Sequence, residues 1–240
     1  MSAASLLAID SSTERLALAL QSGTRVWTVE EEGGAQASAR IVPRLMGLLQ
    51  AAGTSLHAMQ AIAFARGPGA FTGLRTACAV AQGLAFGAGK PVLPLDSLLV
   101  VAEDAREAAD GAQFDVWVAM DARMGEVYAG HYAFADGRWA VRRAAALYEL
   151  DALHARWGSE PPTAVAGTAL AAFEGRLAVG EAVCFAAEQA RAAALLRIAQ
   201  AAWREGRAVD AAEALPLYLR DKVALTTAER EALRASEAGR

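Results

Sequence analysis

Three short apolar runs open the chain, at residues 5–9, 15–20 and 25–30. Turn-forming residues separate them, Asp10-Ser11-Ser12-Thr13 after the first run and Ser22-Gly23 after the second. Short apolar runs bounded by such residues are typical of β-strands joined by tight turns. The pattern therefore predicts a meander of three strands.

Helices then alternate with strands up to about residue 109. Apolar residues recur at helical spacing as far as Gly53, with Pro43 either opening or kinking this first helix. A strand meander followed by such an alternation predicts a mixed sheet with helices packed on it. The predicted elements are a helix at 36–53, a strand at 60–65, a helix at 71–87, a strand at 92–95 and a helix at 97–109.

The pattern restarts near residue 114. Since the second half repeats the plan of the first, we expect an α/β fold of two related lobes, residues 1–105 and 106–223, each a mixed sheet with packed helices. Residues 224–240 contain few apolar residues, and we expect a frayed helix or disorder there. The elements predicted for the second lobe are strands at 114–120, 126–134 and 139–144, a helix at 149–157, a strand at 163–166 and a helix at 187–204.

The charge balance bears on the kind of partner. The 23 basic and 27 acidic residues give a net charge of −4, which argues against a surface that holds nucleic acid by itself. We therefore expect any contact with nucleic acid to run through a protein partner.

Cysteine usage and hydropathy bear on the compartment. Cys78 and Cys184 both have apolar neighbours, so buried, reduced thiols are expected rather than a disulfide. Asp10 interrupts the first apolar run, and the apolar stretch at 91–102 is too short to span a bilayer. We expect a cytoplasmic protein without a membrane segment.

The segment Leu7-Ala-Ile-Asp10-Ser-Ser-Thr13 is the first candidate site, because an apolar strand ends here in an acid and three small hydroxyl residues. In actin-like ATPases and sugar kinases such a hairpin wraps a nucleotide phosphate. The same residues are also ordinary turn formers, so both interpretations stay open. The candidates for a vestigial phosphate loop are Asp10, Ser11 and Ser12.

The segment Gly67-Pro-Gly-Ala-Phe-Thr-Gly-Leu-Arg75 is more distinctive. Glycine at 67 and 69 permits backbone angles closed to other residues, so a strand can turn sharply into a helix. The free amides at the start of that helix are suited to an anion, with Arg75 one turn further on. Because a tight junction needs the same glycines without a ligand, the anion site is one of two interpretations. Its candidate residues are Gly67, Gly69, Thr72 and Arg75.

The helix that follows carries small residues on two faces. Gly73, Ala77, Ala81 and Ala85 lie on one face, and Ala79, Gly83 and Gly87 lie on a neighbouring one. Small residues four apart let another helix, or the lobe's own sheet, approach closely.

These segments resemble the TsaB (YeaZ) family. The block at 67–75 is continued by Ala81-Gln-Gly-Leu-Ala85, Pro91-Val92 and Asp96-Ser-Leu98. Further matches are Leu7 to Thr13, Met120-Asp-Ala-Arg-Met-Gly-Glu-Val-Tyr128 and Pro216-Leu-Tyr-Leu-Arg-Asp-Lys-Val223, whereas residues 134–210 match only loosely.

The resemblance implies a fold of two actin- and sugar-kinase-like (ASKHA) lobes without working catalytic machinery. It implies a non-catalytic scaffold or activator that binds TsaD, together with the ATPase TsaE, for threonylcarbamoyl transfer to the adenosine next to the anticodon of tRNAs reading ANN codons. Alone, the chain is expected to form a homodimer. No cofactor is expected in the isolated chain, and ATP or ADP only at an interface shared within the complex.

The partner surface implied by the resemblance is formed by the helices at 36–53 and 71–87. Family members often begin the first of these helices with a His-Ser-Glu-like triplet, whereas this chain has Gln36-Ala37-Ser38. The residues expected at the interface are Ile41, Leu45, Leu48, Leu49, Gly73, Ala77 and Ala81.

Two alternatives have a different chemistry. An active ASKHA-type ATPase or small-molecule kinase would depend on Asp10, Asp121 and Arg123, but the loop 121–125 has one glycine where a phosphate loop has several. Ala166-Gly-Thr168 slightly resembles an adenosine-binding motif. A metalloprotease-like hydrolase is the more remote alternative, because His57, His131 and His154 are far apart in the sequence, so no metal site is expected.

Overall fold

The computed structural model of the chain describes residues 4–33 and 37–220. Its first half forms a five-stranded sheet in the order β3-β2-β1-β4-β5. The predicted meander is present, since β1, β2 and β3 pair antiparallel, while β4 and β5 extend the sheet in parallel with β1. The strands are β1 (Leu6–Asp10), β2 (Arg15–Ser22), β3 (Arg25–Glu32), β4 (Ala61–Gly67) and β5 (Val92–Asp96).

The second half repeats this arrangement. Its strands follow the order β10-β9-β6-β7-β8, again an antiparallel meander of three strands extended by two parallel ones. The expected α/β fold of two related lobes, each with a mixed sheet, is thereby confirmed. The strands are β6 (Phe114–Asp121), β7 (Glu126–Ala135), β8 (Arg138–Glu149), β9 (Ala164–Ala166) and β10 (Val183–Phe185).

Helices fill three layers around the two sheets. One layer, α1 and α2, covers the outer side of the first sheet, and α4 with α5 covers the far side of the second. Between the sheets lie α3 and α6, in a core that both lobes share. The helices are α1 (Ala37–Ala52), α2 (Phe71–Ala88), α3 (Ser97–Ala108), α4 (Leu150–Ser159), α5 (Ala169–Ala172) and α6 (Arg191–Arg204).

Both faces of the first sheet are buried, which explains why its strands appear in the sequence as continuous apolar runs. In β1, Leu7 and Ile9 face α1 and α2, whereas Leu6 and Ala8 face the central layer. Successive side chains of a strand point to opposite faces, so a strand buried on both sides must be apolar throughout. Most of the residues that β2 and β4 turn to the central layer are alanines, which lets α6 pack close to the sheet.

The end of the described chain returns to the first lobe. Helix α6 packs on the first sheet, Val209 pairs with Val92, and the amide of Leu217 donates to the carbonyl of Arg66 at 2.7 Å. The chain after residue 190 therefore belongs structurally to the first sheet, although in sequence it lies within the predicted second lobe. The predicted tail at 224–240 lies outside the described residues.

Several local predictions differ from the structure. Helix α6 begins at Arg191 rather than near 187, β8 extends to Glu149, and the short elements α5 and β10 were not predicted. Pro43 lies inside α1. Among the described residues, none of the helices combines the length and hydropathy that a membrane span requires.

The two cysteines differ in exposure. Cys78 is buried as predicted, with its Sγ 3.3 Å from the carbonyl oxygen of Ala214, and burial raises the pKa of its thiol. The prediction was wrong for Cys184, which is exposed. Its alanine- and valine-rich neighbourhood indicated a core position, but it lies on β10, a three-residue strand at the edge of the second sheet.

Candidate functional site

A cleft of about 1040 Å³ opens between the two lobes. Its walls are the β1–β2 turn, the start of α2, the β6–β7 loop and the last described segment, 217–220. Of the sequence candidates, Ser12, Gly69 and Arg75 line this cleft, and so do Asp121 and Arg123. The others lie elsewhere: Asp10, Ser11 and Gly67 are buried behind the wall, and Thr72 is exposed on the first turn of α2.

Asp10 is buried and paired with a cation. The Nη2 of Arg191 lies 2.7 Å from Asp10 Oδ2, and Nε donates to the same oxygen at 2.9 Å. Both side chains are almost fully buried. The other carboxylate oxygen accepts from the amide of Ser12 at 2.7 Å, and the Ser12 hydroxyl accepts from Arg191 at 3.1 Å. Arg191 also pairs with Glu188 at the wall of the cleft.

This pairing determines what the strand-end acid can do. Burial by itself lowers the pKa of Arg191, but the carboxylates of Asp10 and Glu188 outweigh burial and raise it, so the guanidinium stays charged. Asp10 is fully buried, and both of its carboxylate oxygens accept hydrogen bonds from within the protein. The strand-end acid is thus paired within the protein itself.

Sequence reasoning missed Arg191, although a signal existed. Arg191, Leu195, Ile198 and Ala202 recur at helical spacing, and all four are buried. An arginine on an otherwise apolar helix face needs a buried acid as its partner, and Asp10 is such an acid.

The glycines of the 67–75 segment allow its backbone to pack closely against the backbones of the β1–β2 turn and of Leu217. A Cβ at Gly69 would overlap the carbonyl oxygen of Ser12, and a Cβ at Gly73 would overlap that of Ser11. Gly67 has a positive φ of 124°, and a Cβ there would lie 2.6 Å from the carbonyl oxygen of Leu217. The structural interpretation of this motif therefore accounts for its glycines. The Gly67–Pro68 peptide bond is cis.

Hydrogen bonds hold this junction to the first strand. The amide of Ala70 donates to the carbonyl of Ser12 at 2.7 Å, and the Ser11 hydroxyl donates to the carbonyl of Gly73 at 2.8 Å. The anion-binding interpretation of Gly67, Gly69, Thr72 and Arg75 stays a prediction, as does the phosphate-loop interpretation of Asp10, Ser11 and Ser12.

Arg75 points to the last described segment. Its Nε donates to the Tyr218 hydroxyl at 2.9 Å, and its guanidinium carbon lies 4.1 Å from the centroid of the Phe71 ring. The two rings are themselves 5.3 Å apart. Arg75 is thereby fixed at the mouth of the cleft between two aromatic side chains.

The other side of the cleft carries Asp121 and Arg123. Asp121 accepts from the amide of Arg123 at 2.8 Å and from its Nη1 at 3.1 Å, and Arg123 also pairs with Glu14 across the cleft. The amide of Asp121 donates to the hydroxyl of Thr168 at 3.1 Å. A Cβ at Gly167 would overlap the carbonyl oxygen of Ala119. The glycine of the segment Ala166-Gly-Thr168 is therefore explained by its close packing against β6.

Asp96 joins the lobes beside the cleft. It caps α3 by accepting from the amide of Leu98 at 2.9 Å, and it accepts from the Tyr132 hydroxyl of β7 at 2.7 Å. Burial raises the pKa of Asp96 above its usual range despite these hydrogen bonds. Burial and the nearby carboxylate likewise raise the pKa of Tyr132, so its hydroxyl stays protonated and donates a hydrogen bond to Asp96.

The histidines do not converge. His131 lies on β7, stacks on Trp117 and contacts Asp115 at 2.7 Å, whereas His57 and His154 lie on other elements. Within residues 4–33 and 37–220, His, Cys, Asp and Glu form no group of three that could hold a metal ion.

The predicted interface residues need correction in their orientation. Ile41, Leu45 and the other residues named on the first helix face the lobe's own sheet. Ala77 and Ala81 do the same, and Gly73 packs on the carbonyl of Ser11. The spacing that suggested a shared face is that of the face packed onto β1, β2 and β4, so these side chains hold the helices in place. The residues concerned are Ile41, Leu45, Leu48, Leu49, Gly73, Ala77 and Ala81.

The opposite side of the same helices is accessible. We call it the outer face of α1 and α2, which lie side by side. Three large apolar side chains stand out on it: Val42 is 43% exposed, Met46 54% and Phe86 83%. The same two helices also expose small residues, namely Gly47, Ala79, Gly83 and Gly87.

Comparison with known sequences gives two matches over most of the chain. The family model described as TsaD, tRNA N6-adenosine threonylcarbamoyltransferase, matches residues 29–234. The tRNA threonylcarbamoyladenosine biosynthesis protein TsaB of Escherichia coli (strain K12) is 34% identical over 228 residues, which cover 91% of this chain and 96% of the relative. The protein of the same name from Haemophilus influenzae is 42% identical over 123 residues, about half of each chain.

Solved structures agree with these matches. A crystal structure described as an uncharacterized protein with similarity to peptidase YEAZ, from Pseudomonas aeruginosa, superposes with a TM-score of 0.81 at 36% identity and covers 90% of this chain and all of the other. A structure described as YeaZ from the same organism has a TM-score of 0.78 at 34% identity and the same coverage.

Proposed function

The chain belongs to the TsaB family of tRNA threonylcarbamoyladenosine biosynthesis proteins, and we propose that it is a non-catalytic subunit that docks onto TsaD. TsaE joins this assembly, in which TsaD transfers the threonylcarbamoyl group to the adenosine next to the anticodon of tRNAs reading ANN codons. The chain supports that reaction by binding and positioning its partner.

The outer face of α1 and α2 carries the proposal. Val42 and Met46 on α1 and Phe86 on α2 expose large apolar side chains, and the neighbouring α2 residues Ala79 and Gly83 are small and exposed. Clustered exposed apolar side chains mark sites of protein association. The small residues let a partner helix approach to close range. A stable complex of this kind buries about 1,600 Å² in total. When TsaD is absent, we expect a second copy of the chain to cover the same face.

The buried pair of Asp10 and Arg191 supports the non-catalytic role. In an active ATPase or kinase of this architecture, the strand-end acid has to face a metal ion or a phosphate. Here a guanidinium occupies that place, and Arg123 pairs with Asp121 on the opposite wall. Because both acids are engaged, the cleft offers no free carboxylate at these positions, and ATP turnover by the isolated chain is not expected.

The charge of the chain supports contact with tRNA through the complex. A net charge of −4 provides no overall attraction to a polyanion at physiological salt. We expect the isolated chain to bind tRNA weakly, whereas the assembled complex binds it well.

Reconstitution from purified proteins tests the proposal. Threonylcarbamoyl transfer to tRNA is measured with TsaD and TsaE, with and without this chain, and with the chain alone. We expect transfer only when all three are present, and a stable complex of the chain with TsaD on size exclusion. Transfer or ATP hydrolysis by the chain alone, or full transfer without it, would contradict the proposed role.

A further inference from the structure

Five arginines line the cleft between the lobes, and four of them are paired with carboxylates. Arg75 is the exception among the described residues, since its polar contact there is with the neutral hydroxyl of Tyr218. Within the described part of the chain, no carboxylate lies within ion-pair distance of the Arg75 guanidinium, so this cation is available to an acid from outside. The four pairs are Arg15 with Glu30, Arg123 with Asp121 and Glu14, Arg191 with Asp10 and Glu188, and Arg220 with Glu126.

The guanidinium of Arg75 is held in place for a ligand. The ring of Phe71 stacks on it at 4.1 Å, the ring of Tyr218 lies 5.8 Å away, and Nε is fixed by the Tyr218 hydroxyl. These contacts leave Nη1 and Nη2 as the free donors among the described residues. Two parallel donors on one planar group match the two oxygens of a carboxylate. Since the side chain is already ordered, binding costs little additional conformational entropy.

The surroundings of Arg75 are apolar and accessible. Phe71 is 41% exposed and Tyr218 is 43% exposed, while Met124 reaches the same cleft from the opposite lobe. Arginine and tyrosine, with neighbouring apolar groups that exclude water, are the composition of energetic hot spots in protein interfaces.

This cluster is continuous with the outer face of α1 and α2. Phe71, Arg75 and Ala79 are four residues apart and all exposed, so they form one strip along α2. A partner that covers Ala79 and Phe86 therefore reaches Arg75 without leaving the helix.

We propose that Phe71, Arg75 and Tyr218 form a hot spot that receives a carboxylate from the protein docked on α2, presented by a segment with an aspartate or glutamate beside an apolar residue. The inference rests on the proposed function, because it specifies the chemistry of the partner at that surface. A protein carboxylate is favoured over RNA because one unpaired cation matches one acid, whereas a polyanion requires several.

Binding of purified TsaD to variants of this chain tests the hot spot. Affinity is measured by titration calorimetry at about 50 mM and about 300 mM salt, since screening weakens a charge pair at the higher value. We expect Arg75→Ala and Arg75→Gln to bind at least about tenfold more weakly at low salt and to lose most of the salt dependence. Tyr218→Phe keeps the ring but releases Nε, and an intermediate loss is expected.

Arg25→Ala is the matched control. Arg25 is also an exposed arginine over an aromatic ring, 5.2 Å from the centroid of Trp27, but it lies on β3 rather than α2. It should bind TsaD like the wild type. Circular dichroism melts establish that the variants are folded, which is expected because Arg75 is exposed.

The outcomes separate this inference from the proposed function. If the wild type binds TsaD and both Arg75 variants match it in affinity and salt dependence, the hot spot is refuted and the proposed function stands. If the Arg75 variants lose tRNA binding by the complex but keep full affinity for TsaD, the cluster binds RNA, and the inference is again refuted. If the wild type does not bind TsaD, both the hot spot and the proposed function are refuted.

Discussion

The carboxylate of Asp10 and the guanidinium of Arg191 meet at 2.7 Å, although 181 positions separate them in the chain. The pair joins the end of the first strand to the start of the last helix. It closes the first lobe around a segment that follows the whole second lobe in sequence. It also keeps the strand-end acid paired with a fixed cation and out of the lining of the cleft.

Breaking this pair on one side should destabilise the protein. Arg191→Met leaves Asp10 charged and buried, and Asp10→Asn leaves Arg191 with Glu188 as its acid, so each is expected to lower the free energy of unfolding by about 3–5 kcal/mol. The double variant removes both charges and should cost less than the sum of the single changes. Urea denaturation of the four proteins measures the coupling. Strictly additive effects would show that the pair is energetically unimportant.

The environment of Glu103 predicts that the stability of the folded protein depends on pH. Its carboxylate accepts from Arg106, from Arg197 Nε at 2.7 Å and from Trp139 Nε1 at 2.8 Å, and so joins α3 to α6 and β8. Burial raises the pKa of Glu103, but these hydrogen bonds and charges outweigh burial, and its pKa is lowered.

The sign of the effect follows from that direction. A carboxyl whose pKa is lower in the folded state contributes stability that is complete above the pKa of the unfolded chain and is lost as pH falls through the folded value. Glu103→Gln should therefore reduce stability at pH 7, by about 1–3 kcal/mol, and the difference from wild type should shrink below about pH 4. Chemical denaturation at a series of pH values measures it, and a difference that does not change with pH would contradict the assignment.

Two glycines of α2 form a matched pair. Gly73→Ala places a methyl group against the carbonyl oxygen of Ser11, so a loss of about 1–3 kcal/mol is expected from overpacking. Gly83→Ala meets nothing within 4 Å, and it should stabilise the helix by about 0.5–1 kcal/mol. Thermal and urea unfolding of the two variants give the comparison. Equal effects would mean that the close contact of α2 with the first strand is not maintained in solution.

The sequence predicts the strands, the helices and the repeated plan because the periodicity of apolar residues is a local signal. Side-chain direction across the fold is not local. Ile41 and Ala77 were expected at a partner surface, yet their spacing reports only that one helix face is apolar, and the sheet takes that face. The residues that face solvent, such as Met46 and Phe86, carry no comparable pattern.

The candidate site was predictable in part. Asp10, Gly69 and Arg75 were selected from motifs, and they lie at or behind one cleft. Arg191 and Tyr218, which hold Asp10 and Arg75 in place, are 181 and 143 positions away from them. Helical spacing could have marked Arg191 as buried, but at such separations it does not show which residue is its partner. The exposure of Cys184 was missed because composition does not distinguish an edge strand from a central one.

Ala77 and Ala79 provide the decisive comparison for the partner surface, because they are two residues apart on α2 and face opposite ways. Ala77 is fully buried against the first sheet, so Ala77→Arg buries an unpaired charge and should unfold the lobe. Ala79 is exposed on the outer face, so Ala79→Arg should leave the stability within about 0.5 kcal/mol of wild type. In a docked complex, the same arginine would hold the helices apart and weaken TsaD binding by several kcal/mol, on the order of a hundredfold or more. Thermal melts and a TsaD binding titration on both variants, with Met46→Glu as a second exposed position, read the two effects separately. Folded Ala79→Arg and Met46→Glu proteins that bind TsaD like the wild type would place the interface on another surface of the molecule.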